Sequence, residues 1–425
     1  MTTLPLSAPP NIQPKLRPLS GLERLFWALD KIHGFNFAIA VSFRGTIAHS
    51  RWKDAFVRAQ KRHPLLDAGI NEDDPCAPYL MRGAGFPIPV AFQCRASSTQ
   101  WQRVMESEIA EPFDLSAGPL LRAAIVEDEQ GCDLVLIANH TIVDGMGILA
   151  FLRDLLDTLA GQTLADLPLP LSSEDRATAM RSSNSLPAPL DGDAAEPQPR
   201  NRTYAARNRK GKPAISALRL SQEQTARLQR YARREQTTIG AVLTAAAASA
   251  WRDLSPQWKQ ADLRLTTALD ARPYLGNEKD FVLSIISPRA IVPYPEQDLA
   301  ASARAIKSQI APFQSFLAIE ATFRRIEAVH ALKLDAATLV NMLAQGFGHD
   351  LGVSNLKTVE LPVQPEGLQV ESVWGPSVLC GYENEHFIGC ATYDAALHLV
   401  YSSYTPLSGL LEAVHEKLSA ACSDA

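Results

Sequence analysis

The sequence predicts a mixed α/β protein, because segments with helical spacing of apolar residues and segments with strand-like apolar runs follow one another along the chain. A stretch from 164 to 213, rich in proline and poor in apolar periodicity, separates an N-terminal part, 1–163, from a C-terminal part, 214–425. A chain of 425 residues is long enough for two domains. We therefore expect two lobes joined by a linker or crossover.

Helix and strand patterns alternate in the N-terminal part. The predicted helices cover 20–33, 51–63 and 98–110, and the predicted strands cover 37–44, 120–126 and 134–138. Leu149, Leu152, Leu156 and Leu159 recur at helical spacing and predict a further helix. Residues 1–18 are rich in proline and lack the apolar core of a signal peptide, so we expect a loose arm there.

The C-terminal part begins mainly with helices and ends mainly with strands. Its predicted helices cover 221–234, 238–251, 298–316, 319–334 and 406–421, with Ser221 as the N-cap of the first. Its predicted strands cover 217–220, 263–269, 367–373, 377–381, 386–393 and 397–402. We expect the last four strands to form a meander with short turns.

Composition and charge narrow the class of protein. The chain carries 41 basic and 46 acidic residues, and this net charge of −5 gives no reason to expect a nucleic-acid partner. It contains no run of 18 apolar residues, so no membrane span is predicted. The six cysteines are scattered without CxxC pairs, and the nine histidines form neither HExxH nor a zinc-like spacing with cysteine. We therefore expect a cytoplasmic protein with reduced thiols and no metal site.

The segment Asn-His-Thr-Ile-Val-Asp-Gly at 139–145 is the strongest candidate for a functional site. It follows the apolar strand 134–138 and precedes the helix with regularly spaced leucines, so we expect a short turn held in place by a rigid strand. His140 is the only side chain in it whose usual pKa allows it to hold or release a proton near neutrality. Gly145 permits backbone angles that other residues resist. The helix N-terminus offers unpaired N–H groups that stabilise negative charge.

This segment resembles the HHxxxDG motif of the superfamily that contains peptide-synthetase condensation domains, alcohol acetyltransferases, phthiocerol dimycocerosyl transferase and the plant HxxxD acyltransferases. Further segments resemble the family in the same order along the chain. They are 18–20 at the usual start, 62–66 (RHPxLR in the family), 112–122 (PFDLxxGPLLR), 270–273 (an arginine-containing strand end) and 353–356 (SNLG). The ordered matches run from about residue 18 to 405 and cover nearly the whole chain.

The resemblance implies an α/β fold of two chloramphenicol-acetyltransferase-like lobes with mixed sheets and an active-site channel between them. It also implies an acyltransferase in which His140 is the general base. The histidine would take the proton from an acceptor hydroxyl or amine as that group attacks an acyl thioester, in a direct transfer without a covalent acyl-enzyme. A thioester needs no metal because thiolate is a competent leaving group. No permanently bound cofactor is expected, and acyl-CoA or a phosphopantetheinyl carrier would be the co-substrate.

In this family, the aspartate of the motif points away from the substrate and pairs with an arginine. Asp144 is therefore expected to pair with Arg272 and, with Gly145, to support the turn structurally, rather than to act in a Ser-His-Asp relay with His140. A buried carboxylate needs such a partner, because loss of one side leaves an unpaired charge that costs about 3–5 kcal/mol. The alternative for Arg272 is a surface arginine before a proline.

Two positions depart from the family pattern, and two match it close to the expected substrate. Asn139 replaces the first histidine of HHxxxDG; it would orient the loop or hydrogen-bond substrate, or be a plain turn residue. Lys357 replaces the glycine after Ser-Asn-Leu, which affects the expected loop shape. Ser354 and Asn355 match the loop near the thioester tunnel. They would bind the acyl donor or help to stabilise the oxyanion; the alternative is a β-turn.

Three other features have simpler explanations. The glycine-rich stretch 346–352 has the spacing GxGxxxG and no strong strand before it, so it does not indicate a dinucleotide site. His349 and Asp350 are expected to form a turn. A basic run is either a solvated linker or a contact for the phosphates of coenzyme A or for an acidic carrier protein. Its members are Arg200, Arg202, Arg207, Arg209, Lys210 and Lys212.

Two catalytic functions and one non-catalytic function fit these observations. The first is an O-acyltransferase that moves an acyl group from acyl-CoA or an acyl-carrier protein to a small hydroxyl acceptor. The second is a stand-alone peptide-synthetase-type condensation enzyme that joins a carrier-bound acyl or peptidyl chain to an amine or hydroxyl acceptor in natural-product biosynthesis. The third is a binding or scaffold protein that kept the fold; the intact His140, Asp144 and Gly145 argue against it.

Overall fold

Two mixed β-sheets with helices packed against them form the centre of the computed structural model, which describes residues 14–183, 211–295 and 298–423. One sheet has five strands and the other has six, and neither closes into a barrel. The predicted α/β fold class is therefore confirmed. Among these residues, no helix combines the length and the apolar character that a membrane crossing requires.

The N-terminal part alternates strands and helices, numbered here in chain order. Its strands are β1 (Lys15–Pro18), β2 (Asn36–Arg44), β3 (Ala68–Asn71), β4 (Tyr79–Arg82), β5 (Val90–Cys94), β6 (Leu121–Glu127) and β7 (Gly131–Asn139), and its helices are α1 (Gly21–His33), α2 (His49–Arg62), α3 (Gln100–Ala110), α4 (Gly145–Leu159) and α5 (Ser173–Ser183). The predicted helices and strands are confirmed to within a few residues. Ser20 caps α1 by accepting a hydrogen bond from the N–H of Glu23, whose carboxylate accepts one from the N–H of Ser20 in return.

The C-terminal part supplies the second sheet and most of its covering helices. Its strands are β8 (Ala214–Arg219), β9 (Leu263–Thr267), β10 (Leu269–Asp270), β11 (Ile285–Ile286), β12 (Arg289–Val292), β13 (Leu351–Thr358), β14 (Gln369–Val378), β15 (His386–Tyr393) and β16 (Ala396–Ser403), and its helices are α6 (Gln222–Arg234), α7 (Ile239–Leu254), α8 (Arg272–Leu275), α9 (Leu299–Ile310), α10 (Phe316–His330), α11 (Ala336–Phe347) and α12 (Leu410–Ala421). Ser221 caps α6 as predicted. Helix α11 was not predicted.

The five-stranded sheet has the order β14-β2-β7-β6-β5. Its central strands β2 and β7 are antiparallel, with Asn36 opposite Asn139. Strand β7 is buried along its whole length, which explains why its sequence is a nearly continuous apolar run. His140 follows directly, so the candidate turn starts from the most protected strand of this sheet.

Strand β14 overturns the predicted C-terminal meander. The sequence suggested two strands, at 367–373 and 377–381, in a meander with the two that follow; instead, one strand pairs with β2 at the edge of the five-stranded sheet. It also passes close to β15, where a side chain on Gly389 would overlap the carbonyl oxygen of Pro376. The periodicity of a strand shows which residues share a face, but it does not show which sheet edge the strand joins.

The six-stranded sheet has the order β12-β9-β13-β15-β16-β8. Strand β13 lies between β9 and β15 and is parallel to both, whereas β15 and β16 are antiparallel. The parallel neighbours bring the starts of β13 and β15 together, with Leu351 opposite His386. This register places Ser354 and Asn355 in the middle of the sheet.

Two segments expected to lack regular structure have it. Residues 15–18, expected in a loose arm, form β1, which pairs with β4, and Arg17 makes an ion pair with Glu23. Within the expected linker 164–213, α5 forms because distant residues hold it: Ser173 Oγ donates to the carbonyl oxygen of Leu283 at 2.8 Å. Such long-range contacts leave no local signal in the sequence.

The predicted basic run lies almost entirely outside the described residues. Its last member, Lys212, is described, and its Nζ donates to Ser107 Oγ at 2.9 Å. The two explanations offered for the run therefore stay predictions.

Candidate active site

The turn that carries His140 is held between β7 and α4. The N–H of His140 donates to the carbonyl oxygen of Phe35 at 2.8 Å, which continues the pairing of β2 and β7 by one residue. Asp144 is the N-cap of α4, and its Oδ1 accepts a hydrogen bond from the N–H of Gly147 at 3.0 Å. Backbone pairing on one side and a helix cap on the other therefore fix both ends of the turn.

The imidazole of His140 is oriented by a backbone carbonyl within the same turn. Its Nδ1 lies 2.8 Å from the carbonyl oxygen of Val143. A carbonyl oxygen only accepts hydrogen bonds, so Nδ1 carries the proton and Nε2 is left with a free lone pair. Nε2 is therefore the ring nitrogen that can accept a proton from a bound molecule.

Aromatic packing keeps this imidazole neutral. The rings of Phe26, Phe35 and Phe37 lie with their centroids 4.9, 4.9 and 4.5 Å from that of His140. Burial lowers the pKa of His140 to about 4, and the nearby carboxylate of Asp144 and the Val143 carbonyl oppose this only in part. The side chain is therefore uncharged at neutral pH, as a general base must be before the reaction.

Asp144 pairs with Arg272, the partner that the resemblance implied. Asp144 Oδ2 lies 2.9 Å from Arg272 Nη1 and also accepts a hydrogen bond from the N–H of Ser284 at 2.7 Å. Arg272 Nη2 donates to the carbonyl oxygen of Val282 at 2.6 Å. The side chains of Asp144 and Arg272 are 2% and 1% exposed, so this ion pair is fully buried. It joins the N-terminal turn to the C-terminal part of the chain.

Gly145 has a steric reason to be glycine. The sequence suggested an unusual backbone angle, and this is wrong, since Gly145 is not among the residues with positive φ. A Cβ at Gly145 would lie 2.9 Å from Cδ2 of Leu356 in β13. The missing side chain therefore lets the first turn of α4 approach β13 closely.

His140 opens into a cavity shared by both parts of the chain. The cavity, its open mouth included, has an empty volume of about 1210 Å³. His140, Asp144 and Gly145 line it from one side, and Ser354 and Asn355 line it from β13. Much of the remaining wall is apolar, including Leu25, Leu29, Met146, Leu269, Ile285 and Leu343. Apolar walls with a few placed polar groups are typical of small-molecule sites.

Ser354 and Asn355 lie in a strand, so the alternative of a β-turn is wrong. Asn355 Oδ1 accepts a hydrogen bond from the N–H of Lys357 at 2.7 Å. Lys357, at the family's glycine position, has φ of 60°, a left-handed conformation that glycine adopts more easily. The local backbone therefore takes a shape that suits glycine, although the residue is lysine.

Asn139 is fully buried and is not among the residues that line the cavity. Its Nδ2 donates to Asp30 Oδ1 at 2.7 Å and lies 3.3 Å from Asn36 Oδ1. Its Oδ1 accepts a hydrogen bond from the N–H of Thr141 at 3.1 Å. These contacts support loop orientation, the first of the three roles considered for this residue.

The segment that resembles RHPxLR braces the motif helix. Arg62 Nε and His63 Nε2 lie 2.7 and 2.8 Å from the same oxygen, Asp154 Oδ2 of α4. Burial raises the pKa of Asp154, but these two partners outweigh it and the net pKa is lowered. The segment therefore supports the helix that follows His140 without lining the cavity.

Sequence reasoning missed part of the cavity wall. His349, expected in a turn with Asp350, lines the cavity and lies 3.0 Å from Glu385 Oε1 through its Nε2. Cys380 and Tyr382 line the same region. These residues lie in separate segments without a recognisable spacing, so the sequence held no signal that would have grouped them.

Fold and site together define a class: two-sheet α/β proteins with a buried histidine turn facing a cavity between the two parts of the chain. The model of the Condensation domain family matches residues 23–175, and that of the phthiocerol/phthiodiolone dimycocerosyl transferase C-terminus matches residues 209–278. The resemblance to the superfamily that unites condensation domains with these acyltransferases is therefore confirmed over the matched residues.

Solved structures share this fold over nearly the whole chain. Polyketide synthase associated protein 5 from Mycobacterium tuberculosis is 18% identical with a TM-score of 0.64, covering 97% of this chain and 99% of that one. The first condensation domain of the CDA synthetase is 16% identical with a TM-score of 0.69, covering 96% and 97%. Similarity at this level of identity shows the fold.

Curated relatives are much longer proteins. Tyrocidine synthase 3 from Brevibacillus parabrevis is 26% identical over 165 residues, which is 38% of this chain and 2% of that protein. Nonribosomal peptide synthetase 5 from Gibberella zeae is 23% identical over 154 residues, or 35% of this chain and 1% of that protein. The chain therefore corresponds to a small share of each relative.

Proposed function

We propose that the protein is an acyltransferase that moves an acyl group from a thioester, either acyl-CoA or an acyl-carrier protein, to a hydroxyl acceptor. The observation that carries this proposal is the state of His140. Its Nδ1–H is held by the Val143 carbonyl, its ring is neutral, and it lines the cavity. These are the properties of a general base that can accept the proton of a bound hydroxyl group.

The reaction follows from this arrangement. Nε2 of His140 takes the proton of the acceptor hydroxyl while the oxygen attacks the thioester carbonyl carbon. The C–O bond forms, the C–S bond breaks, and the leaving thiolate takes the proton back from the imidazolium as a thiol. Burial disfavours the imidazolium, so the proton is held only briefly. The acyl group passes directly from sulfur to the acceptor oxygen, without a covalent acyl-enzyme.

The remaining site residues support this reaction from the cavity wall. Ser354 and Asn355 supply the polar groups of β13 that would bind the acyl donor or stabilise the oxyanion. Asp144, Gly145 and Arg272 are assigned to structural support, because Asp144 is saturated by its contacts with Arg272 and with backbone N–H groups. Donor and acceptor would approach His140 from opposite ends of the cavity.

A second candidate is a condensation enzyme that joins a carrier-bound acyl or peptidyl chain to an amine or hydroxyl acceptor. The Condensation family match and the peptide-synthetase relatives favour it. The same general base would serve, since an amine also loses a proton during attack. Thiol release from acyl-CoA favours the first function, because the second requires a phosphopantetheinyl carrier protein, and an amide product favours the second.

The test is thiol release from a panel of acyl-CoAs with mixed alcohol and amine acceptors. Wild type is compared with His140→Ala and with His49→Ala, a histidine that is 51% exposed on the surface of α2. We expect release by wild type and His49→Ala but not by His140→Ala, with an ester as the product. Release from acyl-carrier protein in place of acyl-CoA identifies the carrier as donor, and an amide product moves the assignment to the condensation enzyme.

Two results would overturn the proposal. If wild type and His140→Ala release thiol equally from both kinds of donor, the histidine is not the base. If intact-mass measurement during turnover shows an acyl group covalently attached to the protein, direct transfer is wrong. Circular dichroism of His140→Ala ensures that a loss of activity is not a loss of fold.

A further inference from the structure

Three side chains of kinds that commonly bind metal ions cluster at the wall of the cavity. His349, Cys380 and Glu385 each offer one ligand atom, and these atoms all lie within 4.8 Å of one another. His349 and Glu385 are buried and Cys380 is half-buried. His349 and Cys380 also line the cavity. None of these three residues has a part in the acyl transfer proposed above.

The parallel pairing of β13 and β15 brings the cluster together. His349 lies just before β13 and Glu385 just before β15, and Leu351 is opposite His386 in the register. The N–H of His386 donates to the carbonyl oxygen of Asp350 at 3.1 Å, which continues the pairing toward the cluster. The convergence is thus built into the sheet and does not depend on a loose loop.

Glu385 is held in place by its own loop. Its carboxylate accepts hydrogen bonds from the N–H groups of Cys380, Gly381 and Tyr382 at 2.9, 2.9 and 3.3 Å. Metal-binding carboxylates and histidines are commonly oriented by such outer contacts. His349 Nε2 lies 3.0 Å from Glu385 Oε1, and a metal ion would join these two atoms.

We propose that His349, Cys380 and Glu385 form a binding site for a divalent transition-metal ion of the zinc type. Imidazole, thiolate and carboxylate are the ligands that zinc takes in proteins, at about 2.0–2.3 Å. Ligand atoms around such an ion lie roughly 3–4 Å apart, so the cluster needs only small side chain adjustments. Because two of the ligands line the cavity, a fourth position is open to water or to a bound molecule.

The charges of the cluster are consistent with a dication. Neutral imidazole, thiolate and carboxylate carry two negative charges, which a divalent ion balances. Binding of the ion replaces the proton of the Cys380 thiol. Arg289 lines the same cavity and carries one positive charge, which opposes the binding of a cation.

The test is titration of the full chain with Co²⁺, a spectroscopic substitute for Zn²⁺. We expect one bound ion, ligand-field bands in the visible and a thiolate-to-cobalt charge-transfer band in the near ultraviolet. Cys380→Ser should remove the charge-transfer band, and Glu385→Gln should weaken binding by more than about tenfold. The matched control is Cys94→Ser, which removes an exposed thiol elsewhere and should change neither.

The cobalt titration tests the metal site without any measurement of catalysis. Absence of a charge-transfer band with wild-type protein overturns it, and this result does not depend on whether any variant folds. Persistence of the band in Cys380→Ser also overturns it, because the metal would then bind another thiol. In either case His349, Cys380 and Glu385 pack together without binding a metal ion. Zn²⁺ should also raise the thermal midpoint of wild type and not that of Cys380→Ser.

Discussion

Asp144 and Arg272 lie 128 residues apart in the chain and meet in a buried ion pair, with 2.9 Å between Oδ2 and Nη1. The pair connects the end of the turn that carries His140 to α8 in the other part of the chain. It thus couples the position of the histidine to the packing of both parts. Its isolation from water makes it sensitive to loss of either partner.

Removal of one partner should destabilise the protein strongly. We expect Asp144→Ala to lower the free energy of unfolding by about 3–5 kcal/mol, because the buried guanidinium of Arg272 then keeps only its longer contact with Asp270, 3.3 Å from Nη1 to Oδ1. Urea denaturation measures this, and the double variant should lose less than the sum of the two single losses. The control is Arg227→Ala in the exposed pair with Glu223, expected to cost about 0.3–0.5 kcal/mol. A loss of that size for Asp144→Ala contradicts the assigned role.

The pH dependence of activity should reflect the strongly lowered pKa of His140. Burial brings the pKa of His140 from 6.5 to about 4. A general base works unprotonated, so kcat/KM should stay level as pH falls past 6.5 and decline only near 4. The measurement is the pH profile of kcat/KM with an acyl thioester, checked by NMR titration of the imidazole. An inflection near 6.5 in both measurements shows that the ring is solvated in solution.

A methyl group at Gly145 should disturb the cavity more than the fold. In Gly145→Ala the new Cβ would lie 2.9 Å from Leu356 Cδ2, the end of a flexible side chain, so Leu356 turns into the cavity while α4 and β13 keep their packing. We expect reduced activity and a loss of about 1 kcal/mol or less in the free energy of unfolding, because the helix propensity of alanine offsets part of the strain. Gly346→Ala in α11 is the matched control, since it has open space around the new Cβ and should raise stability by up to about 1 kcal/mol. Equal effects at both positions would rule out the steric argument.

Substitutions at Asn139 and at Asn355 should change different steady-state constants. Asn139→Ala removes contacts with Asp30 and Thr141 that orient the turn, so we expect a lower kcat with little change in KM. Asn355→Ala removes a polar group from the cavity wall, so we expect a raised KM for the acyl donor. A raised KM for Asn139→Ala with unchanged kcat would return that residue to substrate binding.

Local patterns in the sequence predicted much of what is seen. The helical spacing of Leu149 to Leu159, the cap at Ser221 and the apolar run before His140 all correspond to elements of the structure. These signals are reliable because they depend on near neighbours in the chain. Helix α5 and strand β1 were missed because contacts with distant residues hold them.

By itself, the sequence determined the α/β class, the order of most elements and the place of the turn with His140. Through the resemblance, it also named Arg272 as the partner of Asp144. Only the tertiary structure decided that β14 joins the five-stranded sheet, that Asn139 lies away from the cavity, and that His349 faces Glu385 instead of Asp350. The reason is physical: periodicity and motifs report the neighbourhood of a residue along the chain, whereas sheet edges and cavity walls are formed where distant segments bury surface together.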